Sequence, residues 1–233
     1  MSDLRIDRPT EFGGAIRVLI DRPDRRNALT YETVRHLYDV LGDDTTNVLV
    51  LGSSTPGIFS SGADLDTDDT TRARLSDLLY ACYLRMVTRP GVVVAVVDGA
   101  AVGGGAQLST AADLRIASDR ARWRWVGPGH GLAVGAWILP DLVGRSYGLD
   151  LALTGSWLGA DDAVRAGLVG RLHDDPWGRT EEIVSRLASA DAAALARVKQ
   201  VATRPQLLSA LSTERERNRA AWSGRAPRSG PNS

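Results

Sequence analysis

Short apolar runs alternate with amphipathic stretches along the first part of the chain. The runs at 15–20, 48–51 and 93–97 have the length and hydrophobicity of buried strands. The stretches at 30–41 and 75–87 carry apolar residues at helical spacing, which predicts two amphipathic helices. Strand followed by helix is the only pattern that recurs.

A turn signal at Asp174-Asp175-Pro176 divides the chain. Residues 1–175 contain the predicted strands and form the predicted core with its ligand site, whereas residues 176–222 are helical in pattern throughout. Residues 223–233 are rich in Ser, Gly, Arg and Pro and predict a disordered tail. The polar run 66–74 predicts a mobile loop or a frayed helix.

The composition is that of a soluble globular protein. Its 28 basic and 28 acidic residues balance, so no global field favours nucleic acid or a membrane surface as a partner. Cys82 is the only cysteine, which excludes an intramolecular disulfide and a multi-cysteine metal site and predicts a packing role. The polar N-terminus and the lack of a long apolar stretch predict a cytoplasmic location without a membrane span.

Two glycine-containing loops follow predicted strands. After the run 93–97 the chain reaches Gly103-Gly104-Gly105 and a helix-compatible stretch, which predicts exposed N–H groups at a helix N-terminus. The segment 58–65 follows the run 48–51, again at a strand end. One N–H from each loop could polarise a single carbonyl oxygen, as an oxyanion hole does. Alternatively, the glycines only allow a helix to pack against a sheet.

These loops belong to an ordered series of motifs. The series comprises 22–29, 59–65, 98–108 and 113–118, followed by Leu142-Val143-Gly144, Leu153-Thr154-Gly155, Ala160 with Ala163, and Gly167-Leu168-Val169. With these motifs in this order, residues 15–175 resemble the crotonase, or enoyl-CoA hydratase/isomerase, superfamily.

The resemblance implies an α/β (α+β) fold, a crotonase-like spiral of ββα units with a C-terminal helical segment. It implies a coenzyme A thioester as substrate or ligand, no permanently bound cofactor, a role in fatty acid metabolism, and a homotrimer or hexamer. The backbone amides of Ser61 and Gly104 would hold the thioester carbonyl, and Gln107 would make a neutral polar contact. Residues near the nucleotide part of coenzyme A would be Arg25, Ala28, Ala63, Asp64, Leu65 and Gly103.

Two departures concern the carboxylates of the family. Hydratases that the chain resembles have a glutamate where Gln107 stands, and an amide has no titratable proton near neutral pH. The second glutamate would fall near Val126 or Gly127, but the segment 121–140 contains no Asp or Glu. We therefore expect weak or no hydratase activity, as in the branches of the superfamily that lack these glutamates.

His130 is the titratable side chain of this segment that exchanges protons near neutral pH. One hypothesis makes His130, or an ordered water, the base of an active enzyme that performs thioester hydrolysis, decarboxylation or isomerisation. The alternative is a structural histidine in a glycine-rich loop.

Other side chains near the predicted site also have two interpretations. Aromatic rings line an acyl pocket or fill the core, and acidic residues fold over the thioester or are solvated. The residues concerned are Trp123, Trp125 and Trp137, and Asp66, Asp68 and Asp69.

The sequence leaves two further classes of protein as alternatives. One is a non-catalytic accessory subunit that has lost ligand binding. The other is a Rossmann domain, which is disfavoured because Leu108 stands where the third fingerprint glycine belongs.

Overall fold

The computed structural model describes residues 3–43 and 46–223, which form eleven strands and nine α-helices. The strands are β1 (Leu4–Asp7), β2 (Ile16–Ile20), β3 (Ala28–Leu29), β4 (Val48–Ser53), β5 (Gly57–Ser60), β6 (Gly62–Ala63), β7 (Val92–Val97), β8 (Gly99–Val102), β9 (Leu114–Ala117), β10 (Arg122–Arg124) and β11 (Leu158–Gly159). The helices are α1 (Tyr31–Leu41), α2 (Asp69–Thr88), α3 (Gly104–Ala111), α4 (Leu139–Val143), α5 (Arg145–Thr154), α6 (Ala160–Arg165), α7 (Pro176–Ala188), α8 (Ala192–Ala202) and α9 (Pro205–Ser223).

The strands form two main sheets and a two-stranded pair. The five-stranded sheet has the order β1-β2-β4-β7-β9 and is parallel except for the β1–β2 pair. The four-stranded sheet has the order β11-β10-β8-β5, and β3 pairs with β6. The chain passes from the first sheet to the second before α2 and before α3, since β4 and β5 precede α2 and β7 and β8 precede α3. This repeated ββα unit confirms the predicted α/β architecture.

The apolar runs become strands of the five-stranded sheet. All six residues of β7 are buried, because the sheet is covered on both faces, and such strands have continuous apolar sequences. α1 follows β3, and the hydroxyl of Thr30 caps it by accepting the N–H of Thr33 at 3.0 Å. The predicted strands at 15–20, 48–51 and 93–97 are therefore confirmed.

The polar run before α2 is more ordered than its composition suggests. Asp68 caps the helix, because its Oδ1 accepts the N–H of Thr71 at 2.8 Å. Asp69 and Arg72 then form an ion pair of 3.0 Å within the first turn. Of the two alternatives predicted for 66–74, the loop is therefore wrong from residue 69 onward, where the chain is helical.

All three tryptophans that could line an acyl pocket, Trp123, Trp125 and Trp137, lie in the core instead. Trp123 and Trp125 are fully buried, and the indole N–H of Trp123 donates to the Ser109 hydroxyl at 3.0 Å. Cys82 is also fully buried, and burial raises the pKa of its thiol well above the usual value. These residues stabilise the core, as predicted for Cys82.

α9 packs against α2 through a network of ion pairs. Asp77 accepts two hydrogen bonds from Arg215, at 2.7 and 2.9 Å, and one from Arg219. Burial tends to raise the pKa of Asp77, but the two guanidinium groups outweigh it and hold this pKa well below its usual range. The network fixes the last described helix beside the cavity considered below.

Within the described ranges, no helix has the length and apolarity needed to cross a bilayer. Ser223, the first residue of the predicted tail, is helical, and the rest of that tail, 224–233, lies outside the described residues. The division of the chain at residue 175 stays a prediction.

Candidate active site

A cavity of about 250 Å³ lies where the loop of β6, the start of α3, the segment 126–134 and α9 meet. Its wall includes all four predicted catalytic residues. These are Ser61, Gly104, Gln107 and His130. The fold therefore brings together positions that are far apart in the sequence.

One side of the cavity is formed by the start of α3. Gly103 has φ +52° and ψ −117°, a left-handed conformation that favours glycine, and it turns the chain from β8 into the helix. Gly104 is the first helical residue, so its N–H has no acceptor within the helix. The positive end of the helix dipole lies at the same place and favours negative charge there.

The neighbouring part of the cavity wall is formed by the loop that enters β6. The N–H of Ser61 donates to the carbonyl of Arg26 at 3.0 Å. The prediction that this amide holds a ligand carbonyl is therefore wrong, because its single hydrogen is already bonded within the protein.

The geometry points to the amide of Ala63 instead. Gly62 has φ +93°, which breaks the regular alternation of the strand after Ser61. The N–H of Asp64 donates to Leu29 in β3 at 2.9 Å, so the preceding N–H, that of Ala63, faces away from β3. Ala63 also lies in the cavity wall.

The two loops touch at Gly62. A Cβ atom on this glycine would lie 3.5 Å from the amide nitrogen of Gly104 and 2.8 Å from the carbonyl oxygen of Val102. The close approach therefore requires glycine, and it places the Ala63 and Gly104 loops side by side.

Gln107 is held in place by two donors. It is 3% exposed, and its Oε1 accepts the N–H of Gly135 at 3.1 Å and the indole N–H of Trp137 at 2.7 Å. Trp137 thus supports the cavity wall through Gln107, and its ring stacks on that of Tyr83 at 6.1 Å. The side chain at this position orients its neighbours and carries no charge.

A buried carboxylate lies next to Gln107, and the sequence interpretation missed it. Glu214 of α9 is 5% exposed and accepts the Tyr80 hydroxyl at 2.6 Å, the N–H of Gly135 at 3.1 Å and the N–H of Trp137 at 2.9 Å. Burial raises the pKa of Glu214, although these donors oppose the shift. Because Gly135 donates to Oε1 of both side chains, the carboxylate is adjacent to the amide of Gln107.

The sequence does contain a signal for Glu214. Leu211, Glu214 and Asn218 have the i, i+3, i+7 spacing of one helix face, and all three are buried. The surrounding run of Glu and Arg obscures this pattern, since such runs are usually solvated.

Tyr80 connects Glu214 to the cavity. Its hydroxyl donates to Glu214 and accepts the Nδ2–H of Asn218 at 2.8 Å, while the residue itself forms part of the cavity wall. Asn218 also forms two hydrogen bonds with the main chain of Ala133, accepting its N–H at 2.9 Å and donating to its carbonyl at 2.7 Å. Burial raises the pKa of Tyr80 strongly, and the charge of Glu214 adds to the shift.

The predicted coenzyme A residues are divided between the cavity and its surroundings. Ala63, Leu65 and Gly103 are part of the cavity wall, and Leu65 is 53% exposed. The others belong to the neighbouring loops. Arg25 pairs with Asp66 at 3.5 Å, whereas Arg22 donates to the carbonyl of Ala28 at 2.6 Å and to Asp64 at 3.2 Å.

A spiral of ββα units with a cavity where two strand-end loops meet is the architecture of the crotonase superfamily. The sequence model for enoyl-CoA hydratase/isomerase matches residues 11–223, and the chain belongs to this family.

Individual relatives are similar to this chain over most of its length. A 4-chlorobenzoyl coenzyme A dehalogenase of Arthrobacter sp is 32% identical over 195 residues, which cover 76% of this chain and 70% of the dehalogenase. The crystal structure of an enoyl-CoA hydratase from Mycobacterium avium subsp. paratuberculosis K-10 is 27% identical, with a TM-score of 0.85, and the match covers 97% of this chain and 95% of the hydratase. The crystal structure of a monofunctional enoyl-CoA isomerase from M. smegmatis is 28% identical, with a TM-score of 0.71. The match covers 91% of this chain and 95% of the isomerase.

Proposed function

We propose that the cavity binds the acyl part of a coenzyme A thioester and that the N–H groups of Ala63 and Gly104 donate to its carbonyl oxygen. The observation that carries this proposal is the contact between their loops at Gly62. Two fixed donors outside bulk water stabilise negative charge on the oxygen more than either could alone. The names of the relatives support a coenzyme A thioester as the ligand.

The volume of the cavity favours a small acyl group. About 250 Å³ is just below the usual range for ligand pockets, and the wall includes Leu79, Leu132 and Val134. The nucleotide part of coenzyme A would then lie outside the cavity, beyond Leu65, on the side of the loop that carries Arg25.

We further propose that hydration of enoyl thioesters is weak or absent. Gln107 cannot transfer a proton near neutral pH, and the segment 121–140 has no carboxylate. His130 also lies in the cavity wall, so thioester hydrolysis, decarboxylation or isomerisation with His130 or a water as base is the second candidate function. Assembly as a homotrimer or hexamer in the cytoplasm completes the proposal.

The proposal is tested by ligand-dependent thermal stability. Acyl-CoA thioesters with acyl groups of two to eight carbons should raise Tm in a concentration-dependent manner, because they bind only the folded state, with a stabilisation of about 2.7 kcal/mol at a hundred times Kd. Free coenzyme A is the control and should produce a smaller shift. If no thioester of any length raises Tm, the binding proposal fails and the accessory-subunit hypothesis is favoured.

The variant Gln107→Glu is expected to lose stability rather than gain hydratase activity. Its carboxylate would share the N–H of Gly135 with Glu214, and two adjacent carboxylates raise each other's pKa. A carboxyl group whose pKa is raised by folding is tolerated while it is protonated and destabilises the fold once the pH rises through that pKa. The fall in Tm relative to the wild type should therefore be larger at about pH 8 than at about pH 5.

The matched control for this variant is Gln206→Glu, the same change at an exposed position of α9. It should leave Tm nearly unchanged at both pH values. Hydration of crotonyl-CoA by Gln107→Glu at the rate of ordinary hydratases would contradict the prediction.

A further inference from the structure

We propose that Tyr80, paired with Glu214, exchanges a proton with the α-carbon of the thioester held in the cavity. The inference rests on the proposed function, since it requires a thioester whose carbonyl is held by Ala63 and Gly104. It assigns Tyr80 as a catalytic residue and Glu214 as the positioning residue that acts through it.

Tyr80 is a polar group of the cavity wall whose hydroxyl is hydrogen-bonded to a buried carboxylate. Tyr80 is 2% exposed and forms part of the cavity wall, and its hydroxyl lies 2.6 Å from Oε1 of Glu214. Two acceptors face the hydroxyl, the carbonyl of Ala133 at 3.1 Å and the carboxylate of Glu214, and the nearer, charged carboxylate takes its proton. Asn218 donates to one lone pair of the same oxygen at 2.8 Å, so the other lone pair is the one that could accept a proton from a ligand.

The carboxylate of Glu214 is held in one orientation by main-chain donors, unlike that of a surface glutamate. Main-chain N–H groups of Gly135 and Trp137 donate to its two oxygens, at 3.1 and 2.9 Å. The same two residues donate to Gln107, so the carboxylate belongs to the hydrogen-bond network of the cavity wall. A general base with this support keeps the orientation that proton transfer needs.

The proton transfer is balanced within the site. The α-carbon proton passes to the Tyr80 oxygen as the phenolic proton of Tyr80 passes to Oε1 of Glu214. The electron pair of the C–H bond forms the enolate, whose charge lies on the oxygen held by the two amides. While the enolate is held, the protons on Tyr80 and Glu214 exchange with water that enters the cavity. The reverse transfers then return a solvent proton to carbon, so the net result is exchange of the α-proton with solvent.

The surroundings favour proton uptake by Glu214. Burial raises the pKa of Glu214, so the carboxylate is a stronger base than an exposed one. Helix α2, which packs against α9, carries the hydroxyls of Tyr80 and Tyr83. Its charged groups are neutralised in ion pairs, Arg72 with Asp69 and Asp77 with Arg215. The other polar groups near Glu214 are neutral Gln107 on α3 and His130 in the cavity wall. The segment 133–137 has no titratable side chain.

The test is incorporation of deuterium from D2O into the α-position of propionyl-CoA and phenylacetyl-CoA, followed by mass spectrometry. The wild type should incorporate deuterium, and the rate should rise with pH through the pKa of Glu214 to a plateau, because the ionised carboxylate is the active form. Tyr80→Phe should slow incorporation by about 10²-fold, the lower end of the usual effect of a general base. Glu214→Gln should also slow it and abolish the rise with pH, whereas Glu214→Asp should retain that rise.

Matched controls separate catalysis from folding. Tyr147→Phe on α5 and Glu216→Gln on the exposed face of α9 make the same chemical changes elsewhere and should leave the rate unchanged. Thioester binding is measured on every variant by the shift in Tm.

The outcomes are distinct. Three results would overturn this inference and leave the proposed function intact. They are deuterium exchange by Tyr80→Phe at the wild-type rate, an unchanged pH profile in Glu214→Gln, and a wild type that binds thioesters without exchange. Failure of the wild type to bind any thioester would overturn the proposed function itself.

Discussion

Replacing Lys199 by methionine is expected to lower the free energy of unfolding by about 3–5 kcal/mol. Lys199 is the only lysine in the chain, where arginine supplies every other permanent cation. It is 7% exposed, and its Nζ donates to three oxygens, those of Met86 at 2.7 Å, Gly91 at 3.0 Å and Asp113 at 2.7 Å. The three hydrogens of an ammonium group match three convergent acceptors, which a planar guanidinium does not.

The size of the effect comes from the partner that remains. Asp113 also accepts the N–H of Val93 at 2.7 Å, so without Lys199 a partly buried carboxylate beside β7 would lose its direct ion-pair partner and retain only the more distant charge of Arg115. Burial already raises the pKa of Asp113, and Lys199 opposes that shift. A carboxylate with a raised pKa destabilises the fold as the pH rises through that value, so the defect of Lys199→Met should be larger at neutral pH than in acid.

Chemical denaturation at two pH values measures the prediction. The double variant Asp113→Asn with Lys199→Met should recover part of the loss, because it removes the unpaired charge. Gln200→Met, at the next and exposed position of α8, is the control and should change stability by less than about 0.5 kcal/mol. A loss in Lys199→Met no greater than that of the control would contradict the assigned role of the ion pair.

The sequence predicts the parts of this fold that depend on local pattern. Three strands of the five-stranded sheet, β2, β4 and β7, follow from apolar runs, and the start of α1 follows from Thr30, because burial and capping depend on nearby residues. The start of α2 was missed because an Asp- and Thr-rich run is polar whether or not its first aspartate caps a helix. Asp68 belongs to a run with the composition of a loop, yet its side chain makes the hydrogen bond of an N-cap.

The site required information that a linear pattern does not contain. The choice between the amides of Ser61 and Ala63 depends on the positive φ of Gly62, which turns one N–H toward Arg26 and the other away from β3. The partnership of Tyr80 and Glu214 joins residues that are 134 positions apart. Motifs of the family identified the loops, but the backbone conformation determines which atoms face the cavity.

Replacing Gly104 by proline is expected to reduce exchange at the α-carbon of a bound thioester by about 10²–10³-fold, the usual effect of losing one oxyanion donor. Proline is well tolerated at the first position of a helix because the N–H that it lacks has no intrahelical acceptor there. The variant therefore deletes the proposed donor while retaining the start of α3.

Gly104→Ala is the matched control for the bulk of the new side chain. Its Cβ would lie 3.0 Å from Cδ1 of Leu79, at the flexible end of that side chain, and the same contact arises in the proline variant. Alanine retains the N–H, so the difference between the two variants measures the hydrogen bond rather than the contact. We expect Gly104→Ala to exchange within about tenfold of the wild type.

A second readout does not depend on turnover. The ultraviolet absorption of a conjugated aryl-enoyl thioester moves to longer wavelength when its carbonyl is polarised, and this shift should be present in wild type and Gly104→Ala but reduced in Gly104→Pro. If Gly104→Pro folds with a Tm close to that of Gly104→Ala and retains both the full spectral shift and the exchange rate, the amide of Gly104 does not hold the carbonyl. The amide of Ala63 could not then account for the polarisation alone, because a single donor stabilises an oxyanion far less than a converging pair.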